Sequence, residues 1–234
     1  MALPPPAPFT ALRRRVLAAS ALSLACIAAA PALAQAAPRV KFATSEGDFV
    51  VEVYPDKAPK TVANFLQYVR DKHYDGTIFH RVISNFMVQG GGFDASYAQK
   101  PARAPIAHEG REALAKGGDK NLVGTLAMAR TGDPNSASAQ FFINVKDNEF
   151  LNPTPIPAGD PVAEFSYQGK VYKNVPRAQL LGASELYGYT VFGKVVSGMD
   201  VVNRIKAVPT GAAGPFPTDV PKTPVLIKSA TLVN

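Results

Sequence analysis

Two stretches of this 234-residue chain mix residue types that seldom serve packing alone. Phe79-His80-Arg81-Val82-Ile83 leads through Ser84-Asn85 into Phe86-Met87-Val88-Gln89-Gly90-Gly91. Gly124-Thr125-Leu126-Ala127-Met128-Ala129-Arg130 is followed shortly by Gln140-Phe141-Phe142-Ile143-Asn144. Between them they offer a guanidinium, side-chain amides and an aromatic and Met surface, the parts of an apolar site with a few hydrogen-bonding groups. On a strand, Arg81 and Ile83 share the face opposite Val82. Arg81 is then either ordinary solvated surface or a donor aimed into a site, and Phe86 and Phe142 are either plain core or pocket wall.

Other chemistries find little footing. His73, His80 and His108 lack the close spacing and companion carboxylates of a zinc or iron site, so no metal is expected. No Gly-x-Ser-x-Gly elbow occurs. Gly90-Gly91-Gly92 lacks the Lys-Ser/Thr of a phosphate loop and reads as a turn or bulge after a strand. No acidic cluster falls beside an aromatic groove, and no cofactor is expected. A hydrolase on this scaffold would need a nucleophile-base pair that the residues do not supply.

The elements that must position these residues are mostly strands. Val40–Thr44, Asp48–Tyr54, Thr77–Ile83, Asn121–Arg130, Gln140–Val145, Thr190–Val196 and Val225–Val233 are rich in Val, Ile, Phe, Thr or Tyr and bounded by turn formers. Phe49, Val51 and Val53 alternate with Glu52 and Tyr54, as one buried face requires. Two segments read as helix. Pro59 suits a first turn, with Val62, Phe65, Leu66 and Val69 at i, i+3, i+4 and i+7. Ser197 is placed to cap a second helix with the stripe Met199, Val202 and Ile205. Many strands with two helices suggest a mostly β fold, a closed antiparallel barrel whose open ends the helices cover. Residues 152–188, with Pro153, Pro155, Pro157, Pro161 and Pro176, break the rhythm and show little periodicity.

The start of the chain reads differently. Arg13, Arg14 and Arg15 precede an uncharged run from Val16 to Ala30, too short to span a bilayer, and Ala32-Leu33-Ala34 supplies a small-x-small cleavage site. Residues 1–34 are therefore expected to be a signal peptide removed after Ala34, or with second preference after Ala36, leaving residues 35–234 as one domain in the periplasm. Arg13-Arg14 also fits a twin-arginine signal, so either export route stands. Cys26, the lone cysteine, would leave with the signal, and Ser23 stands where a lipoprotein needs a Leu-like residue. Losing three arginines lowers the formal charge from +7 to +4. The remaining basic residues are scattered, so no nucleic-acid partner and no stable membrane association are expected.

The two stretches of the opening, the helix beginning Ala58-Pro59-Lys60-Thr61 and the run Val191-Phe192-Gly193-Lys194-Val195 together resemble the cyclophilin family. The likeness runs from about Arg39 to Val233, interrupted at 152–188, and is nearest to the periplasmic cyclophilins of Gram-negative bacteria. It implies an eight-stranded barrel, a cofactor-free peptidyl-prolyl cis-trans isomerase, and proline-containing polypeptides, including unfolded exported proteins, as partners of a monomer. By that resemblance Arg81 is the catalytic arginine, acting with Phe86, Gln89 and Phe142, and Gln89 orients Arg81. Met87 and Leu151 line the proline pocket with Phe86 and Phe142. Ala129, Arg130 and Gln140 contact the peptide on either side, the first two through backbone groups. Phe150 replaces the pocket tryptophan of eukaryotic members and Tyr189 the histidine at the pocket edge, so cyclosporin is expected to bind weakly at most. Arg130 replaces the usual Asn. A domain that only holds proline segments, as a chaperone or assembly partner, is the alternative to an enzyme.

Overall fold

The computed structural model describes Met1 and residues 36–233. The expected signal segment and its cleavage site lie outside the described residues.

Eight antiparallel strands close into a barrel. In chain order they are β1 (Arg39–Thr44), β2 (Gly47–Val53), β3 (Thr77–Ile83), β4 (Met87–Asp94), β5 (Thr125–Met128), β6 (Phe141–Asn144), β9 (Val191–Ser197) and β12 (Leu226–Val233). Around the barrel the order is β1-β12-β3-β4-β6-β5-β9-β2, so no strand keeps an unpaired edge. Seven of these strands coincide with the seven runs anticipated above. The additional one, β4, contains Gly90-Gly91-Gly92, which bulge within a strand instead of following one; the β3–β4 register shifts on both sides of Phe79. Tyr74 shows why glycine is needed there: Gly91 has φ +86°, and a Cβ on it would come within 2.8 Å of the Tyr74 ring.

Alternation fills the interior. Val40 and Phe42 of β1 and Phe49, Val51 and Val53 of β2 point inward, and Phe42 stacks on Phe49 with ring centroids 5.0 Å apart. Helix α1 (Pro59–Arg70) closes one side of this core, its Phe65 lying 5.0 Å from Phe192 and edge-on to Phe141 at 6.0 Å. Its first turn has no capping side chain of its own. Glu109, 48 residues further along the chain, supplies the acceptor instead, taking hydrogen bonds from the backbone N–H groups of Lys60 and Thr61 and from Thr61 Oγ1.

Helix α4 (Met199–Lys206) buries Val201, Val202 and Ile205. Its cap differs from the expected Ser197: Gly198 occupies the position at φ +79°, with no side-chain hydrogen bond. A Cβ there would sit 2.5 Å from Asp48 O, so close approach of β2 decides the residue. Two short helices, α2 (Gly110–Ala115) and α3 (Arg177–Gly182), the 3-10 turns Glu149–Leu151 and Ser184–Leu186, and a hairpin of β10 (Thr210–Ala213) and β11 (Phe216–Pro221) complete the described elements outside residues 152–175.

Residues 152–188 are ordered structure rather than bare loop. β7 (Val162–Tyr167) and β8 (Lys170–Val175) form a hairpin around Gln168-Gly169, both at positive φ. The hairpin and α3 share a small core of Val162, Phe165, Leu180 and Leu186, with Tyr167 packed against it. Val171 and Tyr172 face solvent. The apolar residues of the insertion thus pack mainly on each other. A narrow neck ties it to the barrel domain, where Tyr189 N donates to Leu151 O at 2.9 Å and Thr154 N donates to Leu186 O at 2.9 Å.

Candidate active site

The same alternation that fills the barrel also builds a second apolar cluster on its outer wall. Phe141 and Val88 point in; Phe142, Met87 and Gln89 therefore point out. Leu126 and Met128 point in, and Ala127 and Ala129 out. Cross-strand register aligns the outward residues into a row. Val191 pairs with Ala127, Ala127 with Phe142, Phe142 with Gln89, and Gln89 with Arg81, crossing β9, β5, β6, β4 and β3. Neighbouring strands lie about 4.8 Å apart, so the Arg81 and Phe142 backbones stand roughly 10 Å apart across Gln89.

Above this row lies a cleft of about 90 Å³, lined by Arg81, Phe86, Met87, Gln89, Ala129, Arg130, Phe142, Leu151 and Tyr189. Of the eleven residues singled out from sequence, these nine meet directly. The other two flank them. Gln140 accepts a hydrogen bond from Gln89 Nε2 at 2.9 Å. Phe150 stacks on Phe86 at 5.8 Å and is 76% exposed, forming an outer lip.

Each wall has its own support. Phe86 is held by its carbonyl, which accepts from Val145 N and from Asn148 Nδ2 at 2.8 Å. Leu151 ends the 3-10 turn Glu149–Leu151, and its carbonyl receives Tyr189 N. Tyr189 meets Phe142 edge-on at 5.4 Å and lies under the Arg130 guanidinium at 4.8 Å. Arg130 also donates Nε to Gly188 O at 2.9 Å, so its side chain fastens the return of the insertion. A Cβ at Gly188 would lie 2.4 Å from Pro153 N, which restricts that position to glycine.

Sequence reasoning did not single out the polar layer behind the pocket. Asn144 Nδ2 donates to Asn121 Oδ1 and Thr125 Oγ1, Asn148 Nδ2 donates to Asn144 Oδ1, and Asn121 N donates to Asn152 Oδ1. Asn121, Asn144 and Asn148 are buried, and together they hold the Phe86 corner, the 149–151 turn and the start of the insertion in one register. A period-2 reading of Phe141–Asn144 puts Asn144 on the wall opposite Phe141, a polar side chain on an apolar face; that was the available signal.

Arg81 is exposed and makes no ion pair among the described residues. No hydrogen bond joins Gln89 to Arg81; the amide of Gln89 is committed to Gln140, and the two residues are related by register alone. The arrangement thus presents a guanidinium that has no ion pair among the described residues beside a compact apolar recess. It can hold a small ring and offer it a strong donor.

Residues 39–232 match the family model described as cyclophilin type peptidyl-prolyl cis-trans isomerase/CLD. Peptidyl-prolyl cis-trans isomerase B of Escherichia coli is 48% identical over 193 residues, covering 82% of this chain and 98% of that protein. Peptidyl-prolyl cis-trans isomerase A of Dickeya dadantii is 39% identical over 224 residues, covering 95% of this chain and all of the other. Among solved structures, a Cryptosporidium parvum cyclophilin-type isomerase superposes with a TM-score of 0.54 at 23% identity, covering 85% of this chain and 98% of its own, which speaks to the fold. The protein carrying this outer-wall groove belongs to the cyclophilin family and is a peptidyl-prolyl cis-trans isomerase.

Proposed function

We propose that Arg81 is the catalytic donor of this isomerase and that the recess beside it seats the substrate proline. The register row ending in Phe142, Gln89 and Arg81 carries this reading. Amide resonance raises a rotation barrier of roughly 18 to 20 kcal/mol, and uncatalysed Xaa-Pro rotation takes tens to hundreds of seconds. In the twisted transition state the proline nitrogen loses resonance and regains a lone pair. A guanidinium held against it then bonds the twisted form more strongly than the planar one, which is differential binding. Phe86, Met87, Phe142 and Leu151 grip the ring while the preceding carbonyl turns. Excluding water there strengthens the Arg81 hydrogen bond. Gln140, Ala129 and Arg130 flank the recess where the peptide backbone would run.

The finer role is assistance to the folding of exported proteins in the periplasm, which the signal-like residues 1–34 support, with a monomer as the acting species. A protease-coupled assay on a short Xaa-Pro peptide tests the site assignment through Arg81 variants. It also separates an enzyme from a module that merely holds proline segments, which would bind the peptide without accelerating it. Cell fractionation with the mass of the purified N terminus tests the export reading.

A further inference from the structure

A larger cleft, about 490 Å³, lies where α2 faces the insertion. Leu114, Pro153, Ile156 and Leu181 contribute apolar wall, and Arg111, Glu112 and Arg177 bring charge. Arg111 is the anomalous member. Its guanidinium lies 4.2 Å over the Tyr187 ring, and its Nε and Nη2 are covered yet have no hydrogen-bond partner among the described residues. Leaving charged donors in that condition is costly. No carboxylate reaches salt-bridge distance of Arg111 or Arg177 among the described residues; Arg177 instead donates Nη1 to Pro157 O. Glu112 lines the same cleft without pairing with either arginine.

The cleft and the groove are separate cavities, related in the chain by two short pieces of backbone. Leu151 walls the groove and Pro153 walls the cleft; Tyr189 edges the groove and Tyr187 carries Arg111. The hydrogen bond from Tyr189 N to Leu151 O fastens the two pieces together. Two residues of extended chain cover about 7 Å. A polypeptide that leaves the groove on the Leu151 and Tyr189 side would meet the cleft within a few residues of its proline.

We propose that this cleft is a second subsite for the polypeptide substrate, taking an extended segment in which an aspartate or glutamate adjoins an apolar residue. The carboxylate supplies the countercharge that Arg111 lacks, and the apolar neighbour covers the wall of Leu114, Ile156 and Leu181. Segments of this kind gain affinity and residence, while a tetrapeptide is too short to report the site. The proposal rests on the groove being the seat of the isomerised proline, and its test separates the two.

The test uses the whole chain and a Xaa-Pro tetrapeptide, the same core extended by five residues on either side with a Glu-Leu pair, and Gln-Leu twins of each extension. Exchange NMR gives kcat and KM, and fluorescence polarisation gives binding independently of turnover. On one side of the proline, the Glu-Leu peptide is expected to show a KM and Kd about five- to tenfold below its twin, the scale of a charge-assisted contact in a half-covered site. That preference should fall below about twofold in Arg111→Gln, and also in Ala115→Trp, which fills the cleft without removing charge. Tetrapeptide kinetics should stay unchanged in both variants. Equal Kd values for Glu and Gln peptides on both sides, or a preference surviving in Ala115→Trp, overturns the subsite. Should Arg111→Gln misfold, the Ala115→Trp result decides. A chain with the polarisation preference but no turnover contradicts the assignment of the groove and leaves the cleft standing.

Discussion

Gln89, which stands in register between Arg81 and Phe142, donates its Nε2 to Gln140 Oε1 at 2.9 Å. The pair has a floor made for it. Gly92 lies under Gln140, and a Cβ at that glycine would come 2.5 Å from Gln140 Cγ. The bulged glycine run and the two amides therefore pack as one unit beside the apolar recess. Among the described residues Arg81 makes no side-chain hydrogen bond or ion pair, which suits the proposed role of a donor to a transient lone pair.

Arg81→Ala is expected to lower kcat/KM on a tetrapeptide by about 100- to 1000-fold, roughly 2.7 to 4 kcal/mol, the usual loss when one preorganised transition-state donor is removed. Arg81 is exposed, so the unfolding midpoint should hardly move. Near-normal turnover in the folded variant would remove Arg81 from the chemistry.

Phe150→Trp should tighten cyclosporin binding. Phe150 forms the exposed lip over Phe86, and an indole there adds apolar area and an N–H donor facing the groove entrance. The chain has no tryptophan, so the substitution brings its own fluorescent reporter. A titration without any gain over the parent chain would show that the lip is not part of that contact.

Stability should depend on pH through the buried histidines. His80 is 3% exposed, packed on Phe93 and Phe216, and burial pushes its imidazole down to about 4. Burial, followed by the charge of Arg130, also holds His108 at about 4. In the unfolded chain an imidazole takes a proton near pH 6.5. Between about 6.5 and 4 the unfolded state therefore binds more protons, and stability falls as pH falls. For His80 the full loss is on the order of 3 kcal/mol, reached below about pH 4. Urea midpoints compared at pH 7 and pH 4.5 should drop less in His80→Leu than in the parent; identical drops would mean that His80 does not stay neutral.

Alternation made much of the barrel and one half of the site legible in advance. Phe49, Val51 and Val53 announced an inward face, and Arg81 with Ile83 an outward one. Strand β4 was hidden because Gly90-Gly91-Gly92 has poor strand propensity; only the packing of Tyr74 and Gln140 against those glycines makes them strand. The asparagine layer escaped notice because Asn121 joins it from 23 residues before Asn144, which in turn links to Asn148 four residues on. Gly198 displaced Ser197 as cap for a tertiary reason, the approach of Asp48. The hairpin at 162–175 turns on Gln168-Gly169, a weaker signal than Asn-Gly, and its mostly exposed strands lack alternation.

Replacing Pro153 to Leu186 by a short Gly-containing turn tests what the insertion contributes. The small core of Val162, Phe165, Leu180 and Leu186 lies wholly inside the deleted piece, so no residue of the barrel core is lost. The ends remain together, because the hydrogen bond from Tyr189 N to Leu151 O and that from Asn121 N to Asn152 Oδ1 both survive. Leu151 and Tyr189 therefore keep their places in the groove, and tetrapeptide kcat/KM should stay within about twofold of the parent, a change of roughly 0.4 kcal/mol. A refolding protein limited by proline isomerisation offers a longer chain, and there the deletion removes one wall of the cleft that holds Arg111. Its catalysed refolding should slow severalfold while the tetrapeptide does not. Long surface loops are tolerated at little cost, so a passive insertion is the alternative. Equal ratios on both substrates would leave only that passive reading.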